Sequence, residues 1–130
     1  MKYGVDELKA RVAAIGAKAG IPAADAETIA EVLVTTDMRG VHSHGVVRIA
    51  RYLDCIRAGG IKANAEIEIL KESPSSLMVS AAGGLGIPAA KKTMDRLLAK
   101  AADAPRRSAT TRSPTPRRAR STGRSSSTSA

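Results

Sequence analysis

Both histidines of the chain lie in a short stretch that separates two helix-like segments. Before this stretch, Ile29, Val32 and Leu33 recur at helical spacing, and after it a second apolar stripe begins at Val46. Residues 40–45 begin and end with glycine, which predicts a break between the two helices. The chain must therefore fold around two helices that are joined by a histidine-bearing connection.

The connection combines three side chains that suit chemistry on a small acid. Ser43 is expected to cap the second helix, which would place His44 at the positive end of that helix. Arg48 follows His44 by four residues, so the two side chains are expected on one helix face. An imidazole that moves a proton and a guanidinium that holds a carboxylate suit an acid with oxygen or nitrogen on its α-carbon. The alternative is that His44 is a purely structural histidine.

A metal site in the connection is the less favoured interpretation. His42, His44 and Asp37 could face one ion, but zinc takes three or four ligands and the single cysteine, Cys55, lies a helix away. No metal is therefore predicted. The lone cysteine also favours a reducing compartment. No apolar run reaches the roughly 18 residues that a membrane helix needs, so the sequence predicts a cytoplasmic protein without a membrane partner.

Residues 36–49, together with Tyr52 and residues 57–61, resemble the signature of the type 2 malate/L-lactate dehydrogenase family. The resemblance implies an oxidoreductase that uses NAD or NADP without a Rossmann domain and transfers hydride to or from a 2-hydroxy acid, a 2-oxo acid or an imino acid. It extends as far as Ala101, which would be only the amino-terminal third of such an enzyme. It leaves open which acid is the substrate and which of the two nicotinamide cofactors is used.

The same resemblance implies roles for the residues of the connection. Ser43 and His44 would form part of a catalytic proton relay, and Arg48 would bind the substrate carboxylate. The relay aspartate and the further histidine of the family have no matching positions here, and most of the cofactor site would lie outside this chain. The isolated chain is therefore expected to be inactive or nearly so, and a full-length protein is expected to be a homodimer.

Periodicity predicts an α+β fold for residues 1–103. Helices are predicted over residues 5–19, 24–38, 46–57 and 87–101. Residues 64–72 alternate between apolar and charged side chains, and residues 77–79 begin a second apolar run. These two segments predict a half-buried pair of strands that lies against the helices.

A glycine pattern before the last predicted helix partly matches a dinucleotide-binding fingerprint. It consists of Gly84, Gly86 and Ala89 at the appropriate spacing. The pattern does not continue into a βαβ unit, because no apolar strand follows Lys100. The favoured interpretation is that the glycines allow a tight turn and close packing of the helix.

Residues 104–130 differ sharply in composition from the rest of the chain. They hold seven arginines and no acidic residue, which accounts for +7 of the net charge of +9. Without an apolar residue larger than alanine, this tail is predicted to be disordered, and the abrupt change suggests a shift of reading frame.

The tail allows a second hypothesis, in which a small helical module binds nucleic acid through salt-sensitive phosphate contacts. Tyr3 and Tyr52 are the only aromatic residues, so a platform for stacked bases and a nucleic-acid partner are both disfavoured. A helical interaction domain without chemistry is the third possibility.

Overall fold

The computed structural model describes residues 2–103. Four helices and one β-hairpin follow one another along this part of the chain, which confirms the predicted α+β class. The elements are α1 (Val5–Lys18), α2 (Ala23–Met38), a short 3-10 helix (His42–His44), α3 (Arg48–Arg57), β1 (Glu68–Ser73), β2 (Ser76–Ser80) and α4 (Gly86–Asp103). The predicted tail, residues 104–130, lies outside the described residues.

The core forms where α1 crosses α2, with contributions from α3 and the turn before α4. Gly16 on α1 permits the close approach, because a Cβ at this position would lie 3.3 Å from the Cβ of Ala26. The buried apolar side chains of the central cluster are Val12, Ile21, Ala26, Ile29, Ala30, Leu33, Ile49 and Leu85. The predicted stripe on α2 was wrong at Val32, which is 41% exposed, because the buried face is rotated toward Ala30 and Val34.

One partly buried ion pair links the first turn of α2 to α4. Asp25 is buried, and its Oδ2 lies 3.0 Å from Nζ of Lys92, which also lies 3.6 Å from a carboxylate oxygen of Glu66. The hydrogen bond to Asp25 outweighs partial burial and raises the pKa of Lys92 above its ordinary value. The pair therefore fixes α4 against the helical core while both groups are charged.

The two strands form an antiparallel hairpin with a bulge between Ile69 and Lys71. The prediction of a paired strand is confirmed, but the expectation that β1 would be half-buried is wrong. Ile69 is 39% exposed and Leu70 is 60% exposed. Within residues 2–103, α4 packs against β2, whereas every residue of β1 except Ser73 is exposed.

The glycine turn before α4 serves packing. Gly83 has a left-handed φ of +80°, and the N–H of Lys62 donates to its carbonyl oxygen. A Cβ on Gly84 would lie 2.7 Å from the Cβ of Ala65. The preceding strand belongs to an antiparallel hairpin, so the turn is not part of a βαβ unit.

None of the helices between residues 2 and 103 combines the length and apolar character that crossing a bilayer requires.

Candidate active site

The connection between α2 and α3 is a compact series of turns. Gly40 ends α2 with a φ of +81°, a value that glycine adopts without steric cost, and its N–H donates to the carbonyl oxygen of Asp37 at 2.9 Å. The chain then makes the 3-10 turn His42–His44, in which all three side chains are exposed. The predicted break is therefore confirmed, and it presents its polar side chains to solvent.

The structure brings Ser43 and His44 together. The Ser43 Oγ lies 2.9 Å from Nδ1 of His44, a distance at which the hydroxyl can either donate to the ring nitrogen or accept from it. The prediction that Ser43 caps the second helix is wrong, because the residue before α3 is Val47 and no side chain caps this helix end. The serine hydroxyl is instead directed to the neighbouring imidazole.

Asp37, in the last turn of α2, forms hydrogen bonds with two residues of the connection. Its Oδ2 accepts the N–H of Val46 at 2.7 Å, and its Oδ1 lies 3.0 Å from Nδ1 of His42. The Val46 N–H is the main cause of the lowered pKa of the Asp37 carboxyl; partial burial opposes the shift and His42 adds to it. Sequence reasoning considered Asp37 only as a metal ligand and missed this role.

Arg48 occupies a different position from the one that helical spacing predicted. His44 belongs to the 3-10 turn, whereas Arg48 is the first residue of α3, and its N–H donates to the carbonyl oxygen of Gly45 at 3.0 Å. The two residues therefore do not share a helix face, and that expectation was wrong. Within residues 2–103 no carboxylate pairs with Arg48, a residue that is partly buried.

His42, His44 and Asp37 are the candidate metal ligands that the sequence offers in the connection. Among the residues that the structure describes, no three His, Cys, Asp or Glu side chains group in a way that would hold an ion. The contact of His42 with Asp37 is therefore described as a hydrogen-bonded pair, with His42 largely exposed.

Comparison with known proteins gives a consistent result. The family model described as malate/L-lactate dehydrogenase matches residues 3–107. The malate dehydrogenase of Pyrococcus horikoshii is 37% identical over 98 residues, which are 75% of this chain and 27% of that protein. Ureidoglycolate dehydrogenase (NAD(+)) of Escherichia coli K12 is 38% identical over 81 residues, which are 62% of this chain and 23% of that protein.

Solved structures resemble the same region. The malate dehydrogenase from Pyrococcus horikoshii OT3 superimposes with a TM-score of 0.76 at 35% identity, over 79% of this chain and 30% of that one. The sulfolactate dehydrogenase from Methanocaldococcus jannaschii gives a TM-score of 0.74 at 32% identity, over 79% of this chain and 30% of that one. The chain thus spans about a quarter of the length of the curated relatives that it matches.

Proposed function

We propose that this chain, which belongs to the malate/L-lactate dehydrogenase family, supplies the proton-transfer and carboxylate-binding groups of an NAD(P)-dependent oxidoreductase acting on 2-hydroxy and 2-oxo acids or imino acids. The observation that carries the proposal is the 2.9 Å contact between Ser43 Oγ and His44 Nδ1 on an exposed turn. Malate, sulfolactate and ureidoglycolate, named in the relatives, all have a carboxylate next to a carbon bearing a hydroxyl group.

The Ser43–His44 pair can serve both directions of such a reaction. In the protonated ring, Nδ1–H donates to the Ser43 hydroxyl, and Nε2–H can pass its proton to the carbonyl oxygen of a 2-oxo acid, which leaves a neutral imidazole. In the reverse direction the neutral ring keeps its proton on Nδ1, and the lone pair of Nε2 can take the proton of a 2-hydroxy acid. Because Nδ1–H donates to Ser43 Oγ in both forms, the imidazole keeps its hydrogen bond throughout.

Arg48 would bind and orient the substrate. Its guanidinium offers two parallel N–H donors that match the two oxygens of a carboxylate, and no acidic side chain within residues 2–103 occupies it. Its place at the start of α3 joins it to the connection through the Gly45 carbonyl group. A carboxylate held there would have a fixed plane, which the point charge of a lysine cannot impose.

The full-length protein would use a nicotinamide cofactor, NAD or NADP, and would be a homodimer. The glycine turn before α4 offers no cradle for a dinucleotide pyrophosphate, because the backbone at Gly84 is packed against Ala65 and the turn follows an antiparallel hairpin. The chemistry assigned to this chain is therefore limited to proton transfer and carboxylate binding. On its own the chain is expected to be inactive, and turnover of a 2-oxo acid with NADH or NADPH at about 1–1000 per second would contradict this.

A chimera tests the role of Arg48. Residues 1–103 would replace the matched segment of the Pyrococcus horikoshii malate dehydrogenase, and kcat/KM for malate would be measured. Arg48→Lys keeps the charge but loses the planar contact, which is worth roughly 1.5–3 kcal/mol, so kcat/KM should fall about ten- to a hundredfold. Arg48→Ala should cost more.

Arg51, exposed on the same helix, gives the matched control. Arg51→Lys should leave kcat/KM within about twofold, since a solvated surface charge contributes little. His44→Ala should abolish most turnover while the helical circular dichroism stays unchanged. If Arg48→Ala retains the kcat/KM of the unmutated chimera, the carboxylate role is wrong.

A further inference from the structure

We infer that Asp37 is a positioning residue that fixes the turn carrying Ser43 and His44; the effect on catalysis rests on the function proposed above, whereas the effect on the turn does not. Asp37 reaches both sides of the Ser43–His44 pair. One carboxylate oxygen contacts His42, directly before the pair, and the other accepts the N–H of Val46, shortly after it. The carboxylate thus links Asp37 to a residue nine positions later and closes the turn. These two contacts of Asp37, with His42 and with Val46, are called the clasp below.

Gly45 leaves the space that the Asp37 carboxylate occupies. A Cβ built on Gly45 would overlap all three atoms of the Asp37 carboxylate group, and Gly45 itself is buried although the three residues before it are exposed. Its φ of −88° lies outside the left-handed region, so a positive φ is not the reason for a glycine here. The missing side chain makes room for the carboxylate.

The location of Asp37 is otherwise unfavourable for an acid. It lies in the last turn of α2, where the helix dipole disfavours negative charge, and that turn of the helix holds no basic residue. Its side chain is only 24% exposed. Within residues 2–103, the hydrogen bonds of the carboxylate all run to the connection and none to its own helix. Stability of α2 therefore does not account for this acid, whereas ordering of the connection does.

Ordering of the connection bears directly on the imidazole. The N–H of His44 donates to the carbonyl oxygen of Val41 at 3.0 Å within the same 3-10 turn. When the contacts of Asp37 to His42 and Val46 are lost, this turn can open, and Ser43 Oγ no longer stays within hydrogen-bonding distance of His44 Nδ1. Asp37 would thus act on the reaction through Ser43 and His44 and touch no substrate.

Amide hydrogen exchange on the complete 130-residue chain tests the effect on the turn. In Asp37→Ala, exchange at the amides of His44 and Val46 should accelerate about ten- to a hundredfold, since a hydrogen bond to a charged acceptor is lost, while exchange at core amides such as that of Leu33 stays unchanged. Asp37→Asn, which keeps a neutral acceptor for Val46, should give a smaller acceleration. Asp54→Ala is the control, because Asp54 is exposed and has only a 3.6 Å ion pair with Arg57.

A double-mutant cycle separates the clasp from a general loss of structure. Gly45→Ala should accelerate exchange at Val46 to a similar extent as Asp37→Ala, because the new methyl group expels the carboxylate. In the Asp37→Ala background the same Gly45→Ala change should have a much smaller effect. Additive effects, unchanged exchange at Val46 in Asp37→Ala, or equal acceleration of all amides would each overturn the inference.

Kinetics in the chimera then address the consequence for catalysis. Asp37→Asn should lower kcat about tenfold and leave KM for malate within about twofold, because the carboxylate-binding group is untouched. An inactive unmutated chimera would count against the proposed function and leave the exchange results, and hence the clasp, standing. A KM that rises as much as kcat falls would show that Asp37 does not act through the Ser43–His44 pair.

Discussion

Replacing Gly84 by alanine should destabilise the fold, because the turn before α4 leaves no room for a side chain. A Cβ at this position would lie 2.7 Å from the Cβ of Ala65 and 3.1 Å from the carbonyl oxygen of Ala81. That carbonyl group cannot move freely, since it accepts the N–H of Gly84 at 2.8 Å. Gly84 is also paired with Lys62 in an isolated parallel bridge. The new methyl group would therefore push against backbone that is held on both sides.

The magnitude follows from the closeness of these contacts. An added methyl group that forces backbone shifts in a packed region costs about 1–3 kcal/mol. Gly86 gives a matched control, because nothing lies within 4 Å of a Cβ built there and it begins α4. Gly86→Ala removes freedom only from the unfolded chain and should stabilise by about 0.4–1 kcal/mol. The same glycine-to-alanine change at two positions, two residues apart, should thus shift the free energy of unfolding in opposite directions.

Urea unfolding of the complete chain, followed by helical circular dichroism, measures both effects. For a domain of this size 1 kcal/mol corresponds to roughly 4–8 °C in Tm, so thermal melts provide a second readout. If the glycines served only a bound phosphate, Gly84→Ala would leave the ligand-free chain as stable as before. A free energy of unfolding within about 0.5 kcal/mol of the wild type for Gly84→Ala would therefore refute the packing argument.

Two further predictions concern the core and the ion pair. Leu33 is 1% exposed, so Leu33→Ala should lower the free energy of unfolding by about 2–5 kcal/mol. Val32→Ala, on the exposed side of the same helix, should lower it by less than about 1 kcal/mol. Equal losses in urea unfolding would contradict the rotated core face. Because contact with Asp25 raises the pKa of Lys92, the stabilisation by this pair is complete below the ordinary lysine pKa of 10.5 and is lost as pH rises above it. The stability difference between wild type and Lys92→Met should accordingly be constant from about pH 7 to 9 and shrink toward about pH 12, and a difference that grows with pH would show the opposite sign of coupling.

The ends of the helices could be predicted from sequence because glycines mark them locally. Gly20, Gly40 and Gly59 follow α1, α2 and α3, and all three adopt left-handed φ values, of +91°, +81° and +75°. A residue without a Cβ enters this region at little cost, so the position of a helix end depends on one or two neighbouring residues. Information of this kind is contained in the sequence itself.

Burial of the hairpin could not be predicted in the same way. The alternation of residues 64–72 shows that a strand has two different faces, but it does not show that a second layer covers the apolar one. Within residues 2–103, Leu70 and Met78 of the hairpin remain largely exposed, and so do Met94 and Leu98 of α4. Periodicity indicates sidedness, whereas coverage depends on elements that lie far away in sequence or in another part of the protein.

The site shows the same division between local and non-local information. Ser43 and His44 are neighbours in sequence, so their pairing did not require the helix cap that the sequence predicted. The relation of His44 to Arg48 did depend on it, because four residues make one turn only in an uninterrupted α-helix, and here a 3-10 turn and Gly45 intervene. Asp37 lies at the opposite extreme, since its contact with Val46 exists only after the whole connection has folded. The carboxylate role proposed for Arg48 therefore rests on a guanidinium that pairs with no acidic side chain of residues 2–103, and no longer on helical spacing. The clasp formed by Asp37 is what gives the Ser43–His44 pair a defined position from which to act.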